Sequence, residues 1–66
     1  MKNSIKVERA KKNWTQEDLA NKIQVSRQTI ISIESGKFVP STILAMKMAK
    51  VFKTSVEEIF ILEKND

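Results

Sequence analysis

Residues 16–35 read QEDLANKIQVSRQTIISIES, and the interpretation of this stretch decides the fold. Leu19, Ala20 and Ile23 recur at i, i+1 and i+4, and Ile30 and Ile33 stand three apart, so each set marks one face of a helix. Only Gln24 and Val25 separate the first helix from Ser26, a natural N-cap for the second. Two helices joined by so short a turn cross steeply and close together. Ala20 lies where they approach, and a larger side chain there would push them apart. Ile23, Val25, Ile30 and Ile33 fill the wedge. One face of the second helix is left free.

That free face has an unusual composition. With Arg27 at zero and about 100° per residue, Ile31 falls near 40°, Ser35 near 80°, Gln28 near 100° and Ser32 near 140°. Ile30 and Ile33 fall on the opposite side. The outer face therefore holds Arg, Gln and two serines around an isoleucine, and no acid. An ordinary solvated face would mix both charge signs and would not centre on Ile31. Arg can donate two bonds to guanine, Gln can pair with adenine, Ser can serve either, and aliphatic carbon can meet the thymine methyl. These side chains suit the major groove of double-stranded DNA.

Working outward, the capping signals give five short helices. The first spans about Ser4 to Lys12 with Ile5 inward, and Asn13 ends it in a left-handed conformation. Thr15 and Asp18 form a T-x-x-D variant of the capping box for the second helix, and Trp14 before the cap can act as a hydrophobic staple. The third helix ends near Ser35, with Gly36 in the C′ place. Lys37 to Pro40 is a loop. Ser41 caps a fourth helix that buries Ile43 or Leu44, Met48, Val51 and Phe52, with Lys47, Lys50 and Lys53 outside. Ser55 and Glu58 make an S-x-x-E capping box for a short fifth helix with Val56, Ile59 and Phe60 inward. Phe60-Ile61-Leu62 then either ends the helix or opens an extended segment. No linker or repeat interrupts the pattern, so residues 1–66 are expected to form a single all-α domain, a compact five-helix bundle.

Charge agrees with this reading. Residues 1–54 carry eleven Lys or Arg against four acids, and residues 55–66 carry one Lys against four acids. A basic body with an acidic tail attracts polyanions, nucleic acid foremost. Without Cys or His there is no disulfide framework and no usual zinc ligand set. Nor is there Tyr or a glycine-rich phosphate loop, and the acidic pairs Glu17–Asp18 and Glu57–Glu58 point apart along a helix. No enzyme, cofactor or metal is expected. No apolar run approaches the roughly 18 residues of a membrane span, and no signal peptide is visible, so a cytoplasmic location is expected. A chain of 66 residues is marginal alone, which makes self-association the natural support.

At this point the chain resembles the Cro/CI-type helix-turn-helix regulators of phage repressors, the XRE family. TQEDLA-x-KI, VSRQTI and IESGK-x-x-PS match in order and at the right spacing, and the resemblance runs from about Ile5 to Phe60. It implies the phage-repressor DNA-binding fold with the helix-turn-helix over residues 16–35. Arg27, Gln28, Ile31 and Ser32 then occupy base-reading places. Thr15, Gln16, Thr29, Ser35 and Lys37 match positions near the DNA backbone, with Gln16 also bracing the third helix. Arg9 and Glu34 match a structural salt bridge between the first and third helices. Two positions depart from the family pattern. Gln24 stands where relatives carry Gly, at a turn needing positive φ, which costs a non-glycine residue about 1 kcal/mol. Glu8 stands where many relatives carry Leu, and Val7 is expected to turn inward in compensation.

One recognition helix spans few base pairs, so a two-fold homodimer on a palindromic operator is expected, with half-sites about one helical turn apart. Val56, Phe60, Ile61 and Leu62, within residues 56–63, are the candidate interface, because three consecutive large apolar residues exceed what one face can bury. As in small relatives, the chain ends MKNSIK and FILE can pair as short β-strands there. The expected function is a sequence-specific transcriptional regulator, a repressor that acts by occupancy. The alternative is an antitoxin that binds both DNA and a partner protein, although little chain follows the fifth helix to wrap a toxin. A pure protein-interaction module would leave the Arg/Gln/Ser face without a purpose. No small-molecule effector is evident.

Overall fold

The computed structural model describes all residues, 1–66. Its elements are β1 (Lys2–Asn3), α1 (Ile5–Lys12), α2 (Gln16–Ile23), α3 (Arg27–Glu34), α4 (Thr42–Phe52), α5 (Val56–Ile59) and β2 (Phe60–Ile61). The two strands pair antiparallel with Lys2 opposite Ile61 and Asn3 opposite Phe60. The chain ends thus meet within one molecule, and Ser4 N–H donates to the Ile59 carbonyl at 2.8 Å to extend the pairing.

The helices start where the caps predict. The hydroxyls of Thr15, Ser26, Ser41 and Ser55 each accept the backbone N–H three residues on. The relative strength of the two capping boxes is reversed. The T-x-x-D box is complete, with the Asp18 carboxylate accepting from Thr15 N–H at 2.9 Å. The S-x-x-E box is half made, because Glu58 does not reach back to Ser55. A four-residue helix gives Glu58 a short and exposed first turn, with little to hold its longer side chain in place.

The helices also stop at left-handed residues. Asn13 (φ 58°), Gln24 (φ 61°), Gly36 (φ 82°) and Lys53 (φ 56°) follow α1 to α4 in turn. After α3, Gly36 N–H donates to the Ile33 carbonyl and Lys37 N–H to the Ser32 carbonyl, both at 3.0 Å. This is the Schellman pattern. Gln24 does adopt the positive φ that relatives meet with Gly.

Every helix contributes to the core. Ile5 from α1, Leu19, Ala20 and Ile23 from α2, and Ile30 and Ile33 from α3 are buried. Ala45, Met48, Ala49 and Phe52 from α4, Ile59 from α5, and Phe60 complete it. Truncating a fully enclosed member such as Leu19 to Ala costs about 2–5 kcal/mol. Trp14 packs against this cluster and stacks on Phe52 with ring centroids 5.5 Å apart, so it bridges α2 to α4.

One packing expectation is corrected and two are narrowed. Val7 does not turn inward and remains exposed, while Glu8 is half-buried and pairs with Lys11 at 3.1 Å. In α4 the inward residue is Leu44 rather than Ile43, which is 70% exposed, because Ala45 and Ala49 set the buried edge of the helix. Phe60 is 8% exposed and belongs to the core, so it contributes little free surface to any interface. Val56 also packs against the core and is half-buried, which leaves Ile61 and Leu62 as the open part of that segment.

Candidate nucleic-acid interface

The site rests on how α3 is held. Ile30 and Ile33 are buried on its inner face, which packs against α2. Its C-terminal end is fixed by Glu34, which the Arg9 guanidinium meets through two bonds, Nε to Oε2 at 2.6 Å and Nη2 to Oε1 at 3.1 Å. The Gln16 amide at the start of α2 donates to the same Oε1 at 3.3 Å. Arg9 also donates to the Trp14 carbonyl at 2.9 Å. One network therefore ties α1, the α1–α2 connection, the start of α2 and the end of α3. Both charged side chains are mostly enclosed, with 13% and 11% of their surface exposed. A bidentate guanidinium–carboxylate pair in that setting fixes orientation as well as adding energy.

Asn3 adds a clamp that no local sequence signal announces. Its amide donates to the carbonyls of Ile33 and Glu34 at 3.0 and 3.4 Å, and its own carbonyl oxygen accepts Ile5 N–H at 3.2 Å. The terminal strand is thereby tied both to α1 and to the last turn of α3.

With its rear fixed, α3 turns Arg27 and Gln28 fully outward, with Ser32 half-exposed. None of these three side chains makes a hydrogen bond within the molecule; only the Ser32 backbone carbonyl is engaged. Ile31 is half-buried rather than open, so it offers part of its side chain to this face and shares the rest with the fold. The only acid on α3, Glu34, is held in the network described above. The free side chains of the outer face thus carry hydrogen-bond donors and one positive charge, with no competing carboxylate.

The residues expected near a DNA backbone differ in availability. Lys37 is exposed and unpaired. Thr15 is exposed, and its hydroxyl accepts Asp18 N–H. Gln16 is half-buried and uses one amide N–H on Glu34, leaving the other. Thr29 is half-buried, and its hydroxyl lies 3.0 Å from that of Ser26. The Ser35 hydroxyl donates to the Ser32 carbonyl at 3.0 Å, so its proton is already engaged.

The last turn of α3 carries a further residue that the helical wheel did not reach. Phe38 N–H donates to the Ser32 carbonyl at 3.2 Å, folding the loop back over α3. Phe38 stays half-exposed and, with Gln28, Thr29 and Ser32, lines a shallow notch of about 240 Å³ on the outer face. A signal for this was present: Gly36 as C′ places Lys37 at C″, and the residue beyond a Schellman stop lies close to the turn it closes.

Comparison with known proteins gives the family. A helix-turn-helix family model, HTH_3, matches residues 5–59, which takes in all five helices. The chain belongs to the HTH_3 helix-turn-helix family. Relatives of this helix-turn-helix protein span it end to end. An uncharacterized HTH-type transcriptional regulator of Methanocaldococcus jannaschii is 58% identical over 66 residues, covering all of both chains. The YgzD regulator of Bacillus subtilis, described in the same words, is 42% identical with the same full coverage. A competence pilus inhibition repressor of Acinetobacter baylyi is 32% identical over 62 residues, 94% of this chain and 56% of that one. Among solved structures, a hypothetical transcription factor from Neisseria superposes with a TM-score of 0.77 at 22% identity, covering 82% of this chain and 61% of that one. That likeness supports the helix-turn-helix fold. The match of a helix-turn-helix model to the whole helical body bears out the architecture expected from residues 16–35.

Proposed function

We propose that this protein is a sequence-specific double-stranded DNA-binding transcriptional regulator, a homodimeric repressor whose single domain reads a palindromic operator. The observation that carries the reading is the outer face of α3. Arg27, Gln28 and Ser32 have side chains free of internal bonds there, and the one acid of the helix is bound to Arg9 and Gln16. Relatives named as HTH-type transcriptional regulators, and one named as a repressor, support it. In the complex, α3 lies in the major groove. Arg27 pairs with a guanine, Gln28 with an adenine, Ser32 with a neighbouring base, and the open part of Ile31 meets a thymine methyl. Thr15, Gln16, Thr29 and Lys37 position the protein on phosphates. Ser35 donates to a phosphate by turning its hydroxyl away from the Ser32 carbonyl. Arg9 and Glu34 stay out of contact and hold α3 in place.

Two copies pair through the surface around Val56, Ile61 and Leu62. Ile61 is 49% exposed and Leu62 78%, and Val39, Ile43 and Met46 add further open apolar surface on α4 and the loop before it. The repressor acts in the cytoplasm, and no helix is long and apolar enough to cross a membrane.

Selection from a random duplex pool, followed by binding at several salt concentrations, tests the proposal. Recovered sites should be palindromic, and log affinity should fall linearly with log salt. Arg27→Ala should cost roughly 1–3 kcal/mol at one base pair of each half-site. Lys37→Ala should weaken all sequences alike. Failure to enrich any duplex would refute the reading.

A further inference from the structure

We infer that the notch between Phe38 and α3 is a second base-reading element, a seat for a pyrimidine C5-methyl group distinct from the Ile31 contact. The inference rests on the DNA-binding reading above. Three observations carry it. First, Phe38 is half-exposed although it is a large aromatic on a small domain, and it is held over α3 by its N–H on the Ser32 carbonyl at 3.2 Å. Second, the notch it closes is lined otherwise by Gln28, Thr29 and Ser32, and the side chains of Gln28 and Ser32 make no internal hydrogen bond. The notch therefore has one apolar wall and two free polar groups beside it. Third, it sits on the part of α3 that includes Gln28 and Ser32, about 60–100° around the helix from Ile31.

The chemistry of this site fits the major-groove edge of a thymine. Thymine is the base that presents a methyl group there, next to the O4 acceptor. The methyl occupies the notch against the Phe38 ring, and O4 accepts from Ser32 or Gln28. A phosphate fits poorly, because no lining residue carries a charge and the Phe38 ring would face it with apolar carbon. A deoxyribose could pack on the ring, but it would not use the free polar groups and would be indifferent to sequence. Phe38 thus adds specificity at a base pair that Ile31 does not reach.

The test is a uracil scan. Each thymine of a selected operator is replaced by deoxyuridine, which removes only the methyl, and binding is measured for wild type, Ile31→Ala, Phe38→Ala and Phe38→Leu. Wild type should weaken at two separate positions in each half-site. One buried methyl corresponds to about fourfold in affinity per half-site. Phe38→Ala should lose the sensitivity at one position only, Ile31→Ala at the other, and Phe38→Leu should restore much of what Phe38→Ala loses. Unfolding curves on the same variants check that each folds; if Phe38→Ala does not, Phe38→Ser and Phe38→Leu carry the comparison. If Phe38→Ala keeps full sensitivity at every thymine, or weakens all duplexes equally, the ring packs elsewhere and the inference is overturned. If no variant and no wild type binds any duplex, the fault lies with the DNA-binding reading itself.

Discussion

Gln24 is the turn residue between α2 and α3, and its backbone sits at φ 61°, ψ 46°. A side chain costs about 1–2 kcal/mol in this region, because Cβ crowds the following carbonyl. Replacing Gln24 by Gly relieves that strain. It also loosens the unfolded chain, which offsets about 0.4–1 kcal/mol. Gln24 is exposed and its side chain makes no hydrogen bond, so nothing else is lost. The net gain is about 0.5–1 kcal/mol, or about 3–6 °C in Tm for a domain of this size. Thermal unfolding followed by circular dichroism at one fixed protein concentration measures it, since association would make Tm concentration-dependent. Two companions sharpen the test. Lys53→Gly should behave like Gln24→Gly, because Lys53 sits at φ 56°. Asn13→Gly should gain less, because Asn tolerates the left-handed region better than Gln or Lys. An unchanged or lowered Tm in Gln24→Gly would refute the assignment of strain to this turn.

Glu34→Ala should destabilise the fold by about 2–3 kcal/mol in urea, because Arg9 is left mostly enclosed without its carboxylate partner. A double-mutant cycle with Arg9→Ala should return a coupling above about 1 kcal/mol; additivity would mean the pair does not act as a unit. The Thr15 backbone N–H, and then its hydroxyl, hold the Asp18 carboxyl below the ordinary range. A depressed folded pKa contributes stability above the unfolded value of about 3.9 and loses it as pH falls through the folded one. The stability gap between wild type and Asp18→Ala should therefore stay flat from neutral pH to about 5 and shrink below about 4, and a gap that widened on acidification would reverse the sign. Leu62→Lys should shift the mass in analytical ultracentrifugation toward the monomer without loss of fold, because Leu62 is 78% exposed. Phe60→Lys should instead unfold the chain, because Phe60 is 8% exposed.

The elements that were legible in the sequence share a physical property: their signals are local. Four hydroxyl caps, the Gly36 stop and the close apolar pairs around Gln24-Val25 each act within a few residues, and each is found where the residues imply. What was not legible depends on how one element rotates against another. Ile43 and Leu44 are adjacent, and periodicity alone cannot choose between them; the buried pair Ala45 and Ala49 turns α4 so that Leu44 faces in. Glu8 and Val7 pose the same problem in α1, which Ile5 and the Arg9 network hold without help from Val7. Phe60 follows the same rule: β-pairing with Asn3 ends α5 at Ile59 and buries the ring in the core. For the candidate site, the wheel identified Arg27, Gln28, Ile31 and Ser32 but missed Phe38 and Asn3. Both reach α3 from outside the helix through backbone carbonyls, which a helical projection omits.

Those carbonyls show that the stop of α3 and the shape of its outer face are one feature. The Ser32 carbonyl accepts from Lys37 N–H, Phe38 N–H and the Ser35 hydroxyl. The bonds from Lys37 and Phe38 need the chain to reverse at Gly36, whose φ is 82°. Space is not what demands glycine there, because the nearest atom to an added Cβ is the Met1 carbonyl oxygen at 3.9 Å. Backbone conformation alone demands it. A side chain at position 36 would strain the reversal, and the strain would fall on the bonds that hold Phe38 over Gln28 and Ser32. Its effect would then reach base reading while leaving the core residues Ile30 and Ile33 in place. On the proposed DNA-binding reading, Gly36 shapes the recognition surface although it has no side chain with which to touch DNA.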